Sequence, residues 1–428
     1  MHTNTKLEKQ NRRTRKRMAL ILPGILTAVM VLSLLVPDKA YSNMENRPLE
    51  QVPSFELSSI LSGKFQKQAL ENFSDQIPGR ELLIHGAYLT KKLMGITKID
   101  DVYLGKNALI QNPPQPDQKI IQANAKAIQD FASSSGIHSL AMVIPTAAQI
   151  QPNKLPNFAP VFNQKEVIDG IYQSLQNSTQ TIDVLQPLSS HQNEYIFYRT
   201  DHHWTSLGAW YAFQPLISAM GFTPPELKEY QTYLVDKDFT GSLARKTGSI
   251  GIDDQIYVYQ SPKEPDYVVT YQSTQSKTTS IFVSEALSKQ DSYEVFLGAN
   301  QGLVTIETAA DTGRNLLMFK DSFANTLVQF LVPYFDSITI VDPRMYYEDL
   351  KALIEQAGIT DALFVYNYSN FVSDSSLSDL IVSTWPTEEN ASAPAQPQEN
   401  PSSAETAEPE EMPEDIAPAD ETDQEQSS

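Results

Sequence analysis

No cysteine occurs among the 428 residues of the chain. That absence excludes disulfides, thiolate metal sites, a cysteine nucleophile and a lipid-modified N-terminal cysteine. Basic residues are a minority, with 32 Lys and Arg against 52 Asp and Glu and a net charge of −20. Neutralising phosphates needs a basic surface, so nucleic acid is excluded as a general partner. No repeat of fixed period is visible, which excludes a solenoid or a propeller. There is no G-x-S-x-G elbow, and only six histidines are present: His2, His85, His138, His191, His202 and His203.

The charge that is present divides the chain. Residues 1–17 carry seven basic residues against one acid, and residues 386–428 carry 13 acids with no Lys or Arg. Beside the basic segment runs MALILPGILTAVMVLSLLV, residues 18–36, 19 residues without a charge. At about 1.5 Å per residue such a helix covers the hydrocarbon core of a bilayer. Basic residues before the span place the N-terminus in the cytoplasm and the remainder outside it. The expectation is a single-pass protein of the cell membrane with an extracytoplasmic domain. The alternative is a secreted protein, released by cleavage of a signal segment near Ala40-Tyr41-Ser42. Residues 386–428, rich in Pro, Glu, Ala and Ser, bury too little apolar surface to offset their ordering entropy and are expected to be disordered.

Residues 44–385 read as an α/β domain. Apolar periodicity predicts helices over 54–73, 117–135, 165–177 and 206–220. HSLAMVIP, TIDVL and EYIFY read as strands. The closing stretch alternates NLLMFK, a helix, SITIVD, a helix and DALFVYNY, as in a parallel sheet wrapped by helices. Between them, residues 225–313 hold short β-like runs (QIYVY, DYVVTY, SIFVS, EVFLG) and read as a small β-rich insertion. In parallel sheets ligands sit beyond the carboxyl ends of the strands, which directs attention to the residues after EYIFY, NLLMFK, SITIV and DALFVY.

After EYIFY comes Tyr198-Arg199-Thr200-Asp201-His202-His203-Trp204-Thr205. In an extended segment Asp201 and His203 share a face and His202 takes the other. A carboxylate beside an imidazole orients its tautomer and stabilises the imidazolium. Thr205 or Ser206 caps the next helix, and Trp204 reads as packing or as the wall of a sugar site. Arg199 is a candidate partner of Asp201. Adjacent histidines suggest a metal, but neighbours on a strand diverge, so no metal site is assigned. After NLLMFK, Ser322 falls at a strand-to-helix junction, where free N–H groups and the helix dipole stabilise an oxyanion. The plain alternative is that Ser322 or Asp321 only caps the helix. Arg344 in DPR and Arg80 in PGR are further candidates for contact with substrate, and His138 reads as structural. Together, a serine and a D-x-H pair after strands of one domain supply nucleophile, base and orienter.

TDHHWT with KDSFAN resembles the DHHW family of bacterial cell-surface proteins, which are related to the SGNH-like O-acetyltransferases that modify alginate and similar polymers. ENRPLEQVPSF, FSDQIPGRELLI, DVYLGKNALI, DFTGSLARKTG and IVDPRMYY resemble further pieces of it. The resemblance implies an SGNH-hydrolase-like fold in which Asp201 orients, His203 is the base and Ser322 the nucleophile. Two features depart from the ordinary SGNH pattern: Lys320-Asp321 precedes the serine instead of Gly-Asp, and the D-x-H pair is not C-terminal. The oxyanion is expected on the Phe323 N–H and a second donor among Asn325, Asn367 and Asn370. The implied activity is acyl transfer to, or ester hydrolysis on, a cell-envelope polysaccharide. No cofactor is expected; the acyl donor comes from a membrane acyl-carrier partner. The alternative is a catalytically weak or inactive glycan-binding or assembly module of the same fold.

Overall fold

The computed structural model describes residues 21–385 apart from 22, 25, 26, 34, 43 and 46. The basic segment 1–17, part of the apolar span 18–36 and the acidic tail 386–428 lie outside the described residues. Among the described residues no helix is long and apolar enough to cross a membrane.

An eight-stranded sheet organises the domain. Its strands are β1 (His138–Ile144), β2 (Gln180–Thr181), β3 (Tyr267–Tyr271), β4 (Ser276–Thr278), β5 (Leu303–Thr308), β6 (Asn315–Lys320), β7 (Ser337–Val341) and β8 (Asp361–Asn367). Their spatial order is β4-β3-β5-β7-β6-β8-β1-β2. The run from β7 to β2 is parallel, and β5, β3 and β4 extend it antiparallel. The helices that matter here are α1 (Gln118–Ser135), α2 (Gln164–Leu175), α3 (Ser206–Ala219), α4 (Ser242–Thr247), α5 (Ala324–Leu331), α6 (Leu350–Ala357) and α7 (Ser376–Thr384).

The sequence pattern explains the layers. Successive side chains on a strand point to opposite faces. In β6, Leu316 and Met318 therefore join one core with α3 and α5, while Leu317 and Phe319 join a second with α1, α2, α6 and α7. Both faces are covered, which is why these strands are apolar throughout. The Asp117 carboxylate caps α1 by accepting from the Lys119 N–H at 2.8 Å. Gly136 ends α1 at φ +67°, a conformation that favours glycine. Between these caps α1 buries Ile121, Ile128 and Phe131. Phe131 meets the rings of Phe319 and Phe364 edge-on, each at 5.4 Å.

Three expectations change. EYIFY is not a strand of the sheet. Residues 196–205 form a tight loop closed by Thr205 N–H to Ile196 O and Tyr198 N–H to His203 O. Its apolar residues Ile196, Phe197 and Tyr198 are buried by side-chain packing instead of by sheet pairing. TIDVL contributes only Thr181, the second residue of the two-residue β2. The stretch 225–313 is not one insertion: Gln231–Asp236 and Ile256–Gln260 pair as a separate ribbon, whereas β3, β4 and β5 belong to the main sheet. SIFVS and EVFLG form no strand and meet only in the isolated bridge Phe282–Phe296; SIFVS leads into a 3-10 turn at Ser284–Ser288, and EVFLG leaves one at Ser292–Val295.

Candidate active site

The carboxyl end of β6 delivers Lys320, and the chain then turns through Asp321, Ser322 and Phe323 into α5. The loop before α3 delivers Asp201 and His203 to the same place. The Ser322 hydroxyl donates to His203 Nε2 at 2.8 Å. His203 Nδ1–H donates to Asp201 Oδ1 at 2.6 Å, which fixes the tautomer that leaves Nε2 free to accept. Ser322 is half-buried, and His203 and Asp201 are buried.

Several contacts hold this line in place. The Trp204 indole N–H donates to Phe323 O at 2.9 Å, so the fully buried tryptophan ties the histidine loop to the serine turn. Tyr293 stacks on the His203 ring at 3.8 Å and 9°. Its hydroxyl donates to Ser322 O at 2.9 Å, so one side chain touches both His203 and Ser322. Asp201 Oδ2 accepts from the Ser242 N–H at 2.7 Å, at the start of α4. Burial opposes the charge on Asp201, but the two imidazoles and these hydrogen bonds outweigh it and hold its pKa well below the ordinary range.

Gly241 is what lets the α4 segment come so close. A Cβ there would meet Asp201 Cβ at 2.3 Å and Thr200 O at 2.6 Å. Gly241→Ala is therefore expected to push the segment away, release the Asp201–Ser242 bond and destabilise the fold by about 1–3 kcal/mol, the usual range for overpacking. A urea melt checks this; an unchanged midpoint would show that the loop gives way freely.

His202 does not take the opposite face. Because the segment is a turn and not a strand, its ring lies 3.8 Å from that of His203 and its Nδ1 is 2.9 Å from Ser242 Oγ. Ligand atoms of Asp201, His202 and His203 all lie within 4.8 Å of one another, a grouping the strand argument had set aside. In this geometry both ring nitrogens of His203 and Nδ1 of His202 are already engaged in hydrogen bonds.

Burial, with the nearby charge of His203, lowers the His202 pKa to about 4. Between its unfolded value near 6.5 and about 4, the unfolded chain takes up a proton that the folded chain refuses. Stability thus falls as pH falls through that window and the effect is complete below it. His202→Asn is expected to flatten the decline. Melting curves of both chains from about pH 7 to 4 would show it, and parallel declines would contradict it.

The expected oxyanion donors are differently employed. The Phe323 N–H donates to Asp321 Oδ1 at 3.0 Å. Asp321 Oδ2 accepts from Asn367 N–H at 2.7 Å and Asn370 Nδ2 at 2.8 Å. Burial raises the Asp321 pKa. Asn367 Oδ1 caps the following turn through Ser369 N–H, and its Nδ2 donates to Ile144 O. Asn325 is buried, with its Oδ1 lacking a partner. Among the described residues the Ser322 N–H has no acceptor. Arg344 grips Asp342 through Nε at 2.8 Å and Nη2 at 2.6 Å. Arg80 pairs with Glu45 at 2.9 Å, apart from this site. Arg199 does not pair with Asp201; its Nη1 donates to Asp253 O at 3.1 Å. His138 pairs with Asp361 at 3.0 Å.

Sequence reasoning missed Tyr293, which sits in the short 3-10 turn Ser292–Val295. It noted DFTGS without a role for it; the Gly-Ser pair was the available signal.

The domain is mixed α/β with a large, predominantly parallel sheet, and it carries Ser322 at a strand's carboxyl end opposite the D-x-H loop. The DHHW protein family model matches residues 133–341, in agreement with the resemblance drawn from TDHHWT and KDSFAN. A DHHW family protein from Eubacterium siraeum is 27% identical, covers 65% of this chain and 97% of its own, and superposes with a TM-score of 0.54. Bacillus cereus PatB1 is 20% identical, with 65% and 99% covered and a TM-score of 0.56. PatB1 solved with a sulfonyl adduct is 18% identical over the same shares, again at 0.56. No curated protein matches in sequence.

Proposed function

We propose that the chain is an extracytoplasmic acyltransferase or esterase that adds or removes O-acetyl groups on a cell-envelope polysaccharide. The observation that carries this reading is the continuous hydrogen-bonded line Ser322–His203–Asp201. Ser322 Oγ attacks the acyl carbonyl while its proton passes to His203 Nε2. Asp201 holds the resulting imidazolium. The tetrahedral oxygen takes the free Ser322 N–H and the positive end of α5. Collapse breaks the bond to the leaving alkoxide, which takes the proton from His203. The acyl-enzyme is then opened by a sugar hydroxyl or by water, with His203 again removing the proton. Residues 18–36 anchor the domain outside the membrane, and a membrane acyl-carrier partner supplies the acyl group.

The test is to incubate the purified full chain with an activated acetyl ester, quench it and map the peptides. Acetyl carried on Ser322 supports the reading; turnover with no acetyl there ends it. One observation favours a second reading, a glycan-binding module without catalysis: the Phe323 N–H is spent on Asp321. In that case no ester turnover is found. The His202→Asn chain separates both from a metal-dependent hydrolase. The serine mechanism predicts a loss of no more than about tenfold and indifference to chelators, because His202 packs on the His203 ring but hydrogen-bonds to Ser242 and not to Ser322 or His203. A metal centre built on three ligands predicts full loss and chelator sensitivity.

A further inference from the structure

The stretch DVYLGKNALI is one of the pieces of the resemblance that the reaction leaves unused. With the residues before it, it folds into three short antiparallel strands: Lys98–Ile99, Val102–Leu104 and Leu109–Gln111. This small sheet is fastened to the site from the histidine side. Leu109 N–H donates to Arg199 O at 2.7 Å, two residues before Asp201. Asp101 pairs with Lys246 of α4, the helix whose first residue holds Asp201.

Between this sheet and the turn after β8 lies an open hollow of about 790 Å³. Asn370 forms part of its wall, and the same side chain donates to Asp321, the neighbour of Ser322. Ser322, His203 and Asp201 do not line the hollow; its wall adjoins the serine turn through the Asn370–Asp321 hydrogen bond and is tied to the histidine loop through Leu109.

Its chemistry is particular. Gln111, Asn112, Gln115, Ser369 and Ser373 offer uncharged donors and acceptors. Among the described residues the Ser369 hydroxyl is buried without a partner. The ring of Phe162, 40% exposed, supplies an apolar face. The charged residues of the wall are Lys98 and Asp101. Asp101 is neutralised by Lys246, and the Lys98 ammonium lies over the Tyr103 ring at 5.0 Å. Amides and hydroxyls around an exposed aromatic ring match a sugar, whose C–H face stacks while its hydroxyls bond. A single cation on a chain of net charge −20 does not match a polyanion, which such a field repels.

We propose that this hollow is the acceptor subsite and that it takes an uncharged glycan strand, not a polyuronate. The proposal rests on the acyl-transfer reading above and names its substrate class.

Titration calorimetry of the full chain with chitopentaose, cellopentaose and a mannuronate pentamer tests it, beside Phe162→Ala and Ser373→Trp. Ser373 is exposed, so the tryptophan fills the hollow without entering the core. At least one neutral pentamer is expected to bind, the uronate not, and both variants to weaken binding by about tenfold or more. Binding of the uronate, binding of neither neutral pentamer, or neutral binding unchanged in both variants overturns the proposal. Ester turnover of the unaltered chain is read separately. Its absence sinks the acyl-transfer reading while a binding result stands; turnover without glycan binding sinks the hollow alone.

Discussion

Ser322→Ala and His203→Ala are each expected to lower acetyl-ester turnover by roughly 10⁴-fold or more, and the double variant by little more than either single one. A serine hydroxyl is a weak nucleophile at its own pKa. The rate comes from coupling its attack to proton transfer, and that coupling needs the 2.8 Å contact to Nε2. Removing either partner removes the whole step, so the effects do not add. What remains is binding and the Ser322 N–H, which survives in Ser322→Ala as a backbone group. The same logic extends to a reagent. A sulfonyl fluoride is expected to label Ser322 in the unaltered chain and to label it far more slowly in His203→Ala, since the reagent also needs an activated hydroxyl. Single-turnover kinetics with peptide mapping decides the matter. Turnover within tenfold of the unaltered chain in both single variants would mean that the hydrogen-bonded line does no chemistry.

Much of this site is legible in the amino-acid sequence, for an identifiable reason. NLLMFK, SITIV and DALFVY are apolar on both faces because both faces are covered, and amphipathic helices separate them. Local pattern and global fold agree there, so the closing β-α-β-α-β unit and the position of Ser322 follow. The D-x-H pair is legible as chemistry, but its geometry is not. The two-residue alternation that set His202 aside assumes extended backbone, and Thr200–His203 is a turn closed by long-range partners in Gly241, Ser242 and Asp254. EYIFY misleads in the same way: three buried apolar residues look like a strand whether they pair or only pack.

The oxyanion donors show a different limit. Phe323 is the sensible donor by position, yet Asp321, two residues earlier, takes its N–H in an Asx-type turn. Asp-Ser-Phe carries that signal, since Asp commonly accepts from the N–H two residues on. Reading it would have shifted the expectation to the Ser322 N–H. Tyr293 has no such signal. It reaches the site from a 3-10 turn, where no periodicity marks which face is inward, and its two contacts lie far away in sequence.

The second large effect concerns stability. Asp342→Ala is expected to destabilise the fold by about 3–5 kcal/mol, the range for stranding a buried charge. Asp342 is fully buried at the end of β7. It faces Lys320, 3% exposed at the end of β6, with 3.5 Å between Nζ and Oδ2. Burial lowers the Lys320 pKa and works against the Asp342 carboxylate as well. The Arg344 hydrogen bonds and the Lys320 charge outweigh that cost, and the Asp342 pKa ends below the ordinary range. A carboxylate with a lowered pKa stabilises the fold above its unfolded value near 4 and loses that contribution as pH falls through the folded value. The gap between the unaltered chain and Asp342→Ala should accordingly persist at neutral pH and narrow only in acid. Without Asp342, Lys320 keeps one partner, Asn300 Oδ1 at 3.2 Å, and must ionise in an apolar wall or surrender its proton. Arg344 suffers less, because about a third of its side chain reaches water. That asymmetry gives the decisive variant: adding Lys320→Met to Asp342→Ala should restore most of the lost stability, since removing both charges leaves nothing stranded. Urea melts of the three chains test it. A single-variant loss below about 1 kcal/mol, or a double variant no better than the single, would show that Lys320 is not held by Asp342. The consequence reaches the site, because Lys320 leads directly into Asp321 and Ser322: the departure from the Gly-Asp pattern places a buried lysine where the serine turn begins, and Asp342 is what makes that lysine tolerable.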